Sequence, residues 1–239
     1  MAPKFFGIEH ILYLIISSGV ASAALLLAKK YCKTDRQIKV FFKCFAALSL
    51  VIVVASRFAQ ALCFGGPRWY MLIPDSYCAM TSLVLALAVL IGNKNNPVLH
   101  FVWLLGLFGG ISTAIYATFL GQNPSFFFPP TILGLLHHSL TATLVVALLL
   151  FKQIDITYKK WHYTLFGFTC YITLGAFMMQ VFPISDAFHI AEPLIPGTAL
   201  TSWVMAPMYA AGYALVLWGV EFFKKRKSRK CSSQKGDNV

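Results

Sequence analysis

Long apolar runs separated by short polar loops dominate the chain, and they predict seven helical spans. We place them at 7–27, 40–64, 75–91, 98–120, 131–151, 162–182 and 199–223. Each is close to the ~20 apolar residues that a helix needs to cross a bilayer core. The fifth departs most from a plain apolar pattern. The stretch 121–150 begins as a Pro- and Phe-rich loop, becomes an apolar helix, and carries the adjacent pair His137 and His138. Ionisable side chains at such a depth are costly and tend to face a protein interior or a water-filled cavity.

Composition agrees with the pattern. The chain is 58% hydrophobic and 12% charged, with a mean hydropathy of +0.70, outside the range of an ordinary soluble domain. The expected fold class is therefore all-α, a polytopic membrane protein. A seven-helix membrane domain would occupy 1–223, and a basic, disordered tail 224–239. The first run lacks a small-residue cleavage site, so it is expected to stay in the protein. A net charge of +12 could suit nucleic acid, but the basic residues lie in loops beside apolar runs, where they act as topology signals. No nucleic-acid partner is expected. The cysteines at 32, 44, 63, 78, 170 and 231 show neither CxxC nor zinc spacing. No nucleotide motif is present, the spacing of the histidines is a poor fit to metal, and neither a cofactor nor a metal is expected.

Charge then sets the orientation. Lys29, Lys30, Lys33, Arg36 and Lys39 lie between the first two spans, Lys94 between the third and fourth, and Lys152, Lys159 and Lys160 between the fifth and sixth. The tail adds Lys224, Lys225, Arg226, Lys227, Arg229 and Lys230, whereas the opposite loops hold Arg68 and the acids Asp75, Asp186 and Glu192. Positive loops stay inside, which puts the N-terminus outside and the tail in the cytoplasm of a plasma or cytoplasmic membrane.

With that orientation the polar residues concentrate in the outer half. Glu9 and His10 open the first span, Arg57 and Gln60 approach the end of the second, and Asp75, Ser76, Tyr77 and Cys78 open the third. His137 and His138 share that depth, while Lys43 and His100 lie near enough to the inner ends to snorkel. A polar pocket open to the outer side accounts for the asymmetry. Cys78 at a helix N-terminus is placed to favour a thiolate. A neighbouring imidazole, from His137 or His138, would let it accept an acyl group from a lipid. Successive helical residues point about 100° apart, so one of the two histidines is expected to face the pocket. Arg57 could hold a phosphate or pair with Asp75. The alternatives are a plain buried thiol or a disulfide between Cys78 and Cys63 on the same side.

At these residues a resemblance enters. Leu72-Ile-Pro-Asp-Ser-Tyr-Cys78 resembles the Leu-Pro-x-x-x-Cys helix opening of the YwaF-like integral membrane family, which includes the vertebrate transmembrane acyltransferases that remodel ether phospholipids. Gly109-Gly110, Pro124, Phe128-Pro129 and His138-Ser-Leu are similar to a further block of that family. Trp203 to Pro207-Met-Tyr209 resembles its last span, and His10 sits where its first span has a histidine. The resemblance implies a seven-helix fold, Cys78 as acyl acceptor and His138 as base; Arg57, His10 and Asp75 are the residues expected to bind substrate. Two features depart from the family, the doubled histidine and the segment Pro183 to Pro196, where the family has an Asn-rich junction.

The function expected from this is a membrane-embedded acyltransferase moving a fatty acyl group from or to a phospholipid through a cysteine thioester. A transporter or channel with a polar outer pocket is the alternative, disfavoured by the apolar inner halves. A receptor-like or assembly protein with pH-sensing histidines is the third. The orientation can be checked directly. An impermeant thiol reagent applied to intact cells should spare Cys32 and Cys231, and labelling of either would invert the topology.

Overall fold

The computed structural model describes residues 4, 6–64, 68–117, 120, 123–195 and 197–236, with no side chains described for Lys225 and 227–239, Cys231 among them. The helices are α1 (Ile8–Tyr31), α2 (Asp35–Cys63), α3 (Tyr77–Ile91), α4 (Pro97–Ile115), α5 (Pro129–Leu150), α6 (His162–Val181) and α7 (Ser202–Gly236). Single 3₁₀ turns at Trp69–Leu72 and Tyr158–Lys160 join α2 to α3 and α5 to α6. No strand occurs among the described residues. Six of the helices are long and apolar enough to cross a membrane, so the chain is a multi-pass integral membrane protein.

The exception is α3, with 15 residues, or ~22 Å of helix. Its N-cap is Ser76, whose hydroxyl accepts the Ala79 N–H, so the span expected from residue 75 starts two residues later. Even so, α3 runs the length of the buried interface. Its start lies against Arg57, and its end shares a cavity with Lys39 and Lys43, on the other end of α2. At the opposite extreme, α7 continues as helix to Gly236, where a disordered tail was expected from 224. Thr34 and Gln37 form a capping box at the start of α2, and Asn96 caps α4 ahead of Pro97.

The inner bundle is α2, α3, α4 and α5, with α6 against α4 and α7 against α6. α1 is peripheral: it buries only His10 and Ala28 among its residues and turns the rest of its apolar surface outward, towards lipid. The α4–α5 contact is the closest approach. A Cβ on Gly110 would lie 2.7 Å from the His138 carbonyl oxygen and 2.9 Å from Ala142 Cβ, so only a glycine lets the two backbones meet there.

Hydroxyl groups and one loop tie the outer helices on. Tyr213 donates to the His100 carbonyl at 2.8 Å and accepts from Trp103 Nε1 at 2.9 Å, linking α7 to α4. The loop before α7 is pinned by Phe188, whose N–H donates to Asp75 O at 2.7 Å. The Ser202 hydroxyl donates to Phe188 O and so accepts from Tyr77 Oη at 2.6 Å. Phe188 and His189 both take left-handed backbone angles, with φ of 55° and 56°, a costly conformation for bulky residues. Those hydrogen bonds, and the packing of the Phe188 ring between Tyr77 and Tyr171, offset the strain. Gly175 on α6 leaves the room that Phe188 and Ile190 fill.

The glycine contact yields a paired test. Gly110→Ala should destabilise the detergent-solubilised protein by about 1–3 kcal/mol through overpacking. Gly212→Ala, where nothing lies within 4 Å of the new Cβ, should be neutral or slightly stabilising because alanine is the better helix former. Thermal unfolding of the two variants side by side reads the difference.

Candidate functional site

At the end of the bundle away from the basic loops, α2, α3 and α5 diverge around a cavity of about 390 Å³. Arg57 and Gln60 reach it from α2, Asp75, Ser76 and Ala79 from the start of α3, and Gly134, His137 and His138 from α5. Asn123, from the loop before α5, is 95% buried at its wall. Arg57, Asp75, His137 and His138 thus come together as the sequence suggested, and both histidines line the cavity where one was expected. They do so because the rings turn towards each other, with centroids 3.9 Å apart and a 35° tilt between their planes.

His137 is the unusual member. Both of its ring nitrogens are buried without a well-formed hydrogen bond among the described residues, the contact to the Leu133 backbone one turn earlier falling short of that geometry. A buried polar atom without a partner costs free energy, and a ligand's hydroxyl or phosphate hydroxyl in the cavity would supply one.

Arg57 is, by contrast, well satisfied. Nε donates to Met71 O at 2.8 Å, Nη1 to Gln60 Oε1 at 2.6 Å, and Nη2 to both Ile73 O at 3.1 Å and Asp75 Oδ1 at 3.3 Å. The expected pairing with Asp75 is present, but the carbonyl contacts are what the sequence did not indicate. They fasten the chain after the 3₁₀ turn onto α2 and so aim the start of α3. Of the five guanidinium N–H donors, these bonds occupy four, leaving little for a substrate phosphate.

Cys78 is placed differently from the expectation. Its sulfur lies 3.9 Å from Thr113 Oγ1 on α4 and 3.1 Å from where a Cβ on Gly109 would be. Cys78 does not line the cavity, whereas its neighbour Ala79 does; the thiol points to α4 because adjacent helical residues diverge by about 100°. No hydrogen bond joins it to either histidine among the described residues. Cys63 and Cys78 are both free thiols, so the alternative of a bridge between them is not realised. His10 is also away from the cavity. Its Nε2–H donates to Ala114 O at 2.8 Å and its Nδ1 accepts the Phe6 N–H at 3.3 Å, fastening α1 to the end of α4.

Asn123 and Gly134 were not singled out from the sequence. The signal for Asn123 is a polar residue within the Pro- and Phe-rich loop, and for Gly134 a position one turn before His138. Among the described residues no three His, Cys, Asp or Glu side chains converge as a metal site.

The Arg57 contacts give a test. Arg57→Leu strands three partly buried acceptors and one carboxylate, and it should lose about 1–3 kcal/mol of stability. Arg57→Lys should recover little of this, since a point-like ammonium cannot reproduce the planar fork. Recovery of full thermal stability in either variant would remove Arg57 from its positioning role.

Compared with protein-family models, with curated proteins and with solved structures, the chain finds no match.

Proposed function

We propose that the chain is a membrane-embedded acyltransferase in which a phospholipid is acyl donor or acceptor, Cys78 carries the acyl group as a thioester, and His138 acts as base with His137 beside it. The observation that carries this reading is the buried imidazole pair on a polar cavity, with no well-formed hydrogen bond to the His137 ring among the described residues. Imidazole is the side chain best suited to move protons near neutral pH. The resemblance of Leu72 to Cys78 and of His138-Ser-Leu to the YwaF-like family supports the assignment of roles.

The placement of Cys78 is compatible with such a role on one condition. The Gly109–Gly110 pair lets α3 and α5 approach α4 from two sides, with the Cys78 sulfur at Gly109 and the His138 carbonyl at Gly110. This brings the Cys78 sulfur and the His138 backbone to neighbouring positions along α4. The reaction requires the thiol to leave Thr113 for another staggered rotamer and meet the imidazole.

The chemistry then balances. The Cys78 thiol gives its proton to His138, and the thiolate attacks the ester carbonyl of the lipid. The ester C–O bond breaks, and the departing lysophospholipid oxygen takes the proton back from the imidazolium. A second hydroxyl repeats these steps in reverse, regenerating the thiol. Burial from water protects the thioester against hydrolysis.

A transport function would need the cavity to continue through the bundle. Its lining shares no residue with that of the cavity at the basic end, and the fully buried Leu85, Leu144 and Val145 belong to the packed core. A receptor-like or assembly role would keep its output when Cys78 is replaced.

Cys78→Ser should abolish turnover of a phospholipid carrying a labelled acyl chain, because the serine hydroxyl is far harder to ionise. His138→Ala should lose about 10²–10⁴ in rate, and His137→Ala markedly less. Intact-protein mass analysis should show a hydroxylamine-sensitive acyl adduct on Cys78. An unchanged rate in Cys78→Ser would sink the mechanism.

A further inference from the structure

A second cavity, of about 340 Å³, lies at the basic end of the bundle, between the start of α2, the α3–α4 turn and the end of α5. It shares no residue with the polar cavity above. Lys39 and Lys43 stand one helical turn apart on α2, and Lys94 reaches the same space from the α3–α4 turn. The wall includes the apolar side chains of Phe42, Leu99 and Leu148, all nearly or fully buried.

The charge arrangement is unusual for topology signals alone. Lys39, Lys43 and Lys94 have no hydrogen-bond or ion-pair partner among the described residues. Asp35 lies on the same cavity without pairing to any of them. Three ammonium groups and one carboxylate leave a net positive cavity. Lysines that serve only to orient a chain need share no recess, and these three, though exposed, line one from two separate elements. Like charges gathered this way favour a bound anion, and an apolar wall beside them favours one that carries a hydrocarbon part.

We propose that this cavity binds a phosphate-bearing ligand, held by Lys39, Lys43 and Lys94, with its apolar portion against Phe42, Leu99 and Leu148. Lysine is a strong phosphate binder acting as a point charge, and basic recesses between membrane helices are suited to anionic headgroups. Two sources share this chemistry, the headgroup of an anionic phospholipid and a soluble phosphate ester. The apolar wall favours the lipid. The site supplies no nucleophile or base, so its role is binding, and it stands whether or not the acyl transfer proposed above is correct.

The test uses the full chain in a neutral detergent, with thermal unfolding followed by tryptophan fluorescence. Dioctanoyl phosphatidic acid should raise the unfolding midpoint saturably, and dioctanoylglycerol, which lacks the phosphate, should not. Glycerol 3-phosphate is the arm for a soluble source: an equal, saturable shift with it would assign the anion site to soluble phosphate esters. Replacing all three lysines, K39Q/K43Q/K94Q, should weaken the apparent affinity by about 100-fold, at a factor of about five per lysine. The control K29Q/K30Q/K33Q removes the same charge from the same end outside the cavity and should change affinity little. Equal weakening in both triple variants would reduce the effect to general surface charge and overturn the site. So would an unaltered affinity in K39Q/K43Q/K94Q, or the absence of a saturable shift with either phosphate compound. These lysines are exposed and hold no structural contact, so the variant without added ligand should unfold at the parent midpoint. That measurement separates loss of the site from loss of the fold.

Discussion

A guanidinium is expensive to bury, and Arg57 is 94% buried. It remains there because the chain returns to meet it: after the turn at Trp69–Leu72 the backbone offers the carbonyls of Met71 and Ile73, followed by the Asp75 carboxylate. The same segment then becomes the N-cap of α3. The position of Ser76, Cys78 and Ala79 is therefore set by where a cation sits on another helix. Asp75 also takes part in a second tie, since its carbonyl accepts from Phe188 in the loop before α7. One charge thus organises α2, α3 and the loop that closes over α6. Helix packing in lipid has no hydrophobic driving force of its own between segments, which gives such polar anchors more weight than they would have in a soluble core.

Close approach of backbones supplies the complementary force. Gly106 faces Thr141 and Val145, Gly109 faces Cys78, and Gly110 faces the His138 carbonyl. Around α4 these contacts bring α3 and α5 to nearly one level, and a hydroxyl chain runs alongside: Thr141 donates within 2.8 Å of Ser82, whose own hydroxyl donates to Cys78 O at 2.9 Å. Dispersion across a small-residue seam and a few hydrogen bonds hold the centre, and the periphery, α1 above all, is held lightly. The resulting gradient of packing runs from the cavity-lining helices outward.

The helices themselves were legible because apolar run length is a one-dimensional property. The two differences at helix ends have local causes. α3 is short because the residues before Ser76 are engaged by Arg57 in a non-helical course, and α7 is long because the lysines and arginines that follow its apolar part are themselves good helix formers. The candidate site was legible by depth and less so by direction. Depth placed Arg57, Asp75, Cys78 and both histidines at one level, and four of these five line the cavity. Direction depends on helix phase and on what each neighbour leaves open. Gly109 opens a niche on α4 that takes the Cys78 thiol, and nothing in the local sequence of α3 announces it. His10 shared the depth as well, yet the free carbonyl of Ala114 at the end of α4 claims it. The acceptors of Arg57 escaped the sequence for a similar reason, since a backbone carbonyl is offered by every residue and selected only by the fold.

The two cavities show how a single three-helix wedge can serve two ends differently. At one end α2, α3 and α5 part around imidazoles, a carboxylate and amides; at the other they part around lysines and an apolar wall. Between them the fully buried Leu85, Leu144 and Val145 make the bundle solid. A solid centre matters to both. It prevents water from running between the ends, which keeps the effective dielectric low around His137 and His138 and strengthens any hydrogen bond they make to a ligand. It also means that the lysine charges act on the distant imidazoles only through ~20 Å or more of packed protein, too far for specific contact. Substitutions in one recess can then be read separately from those in the other, because the two share no lining residue.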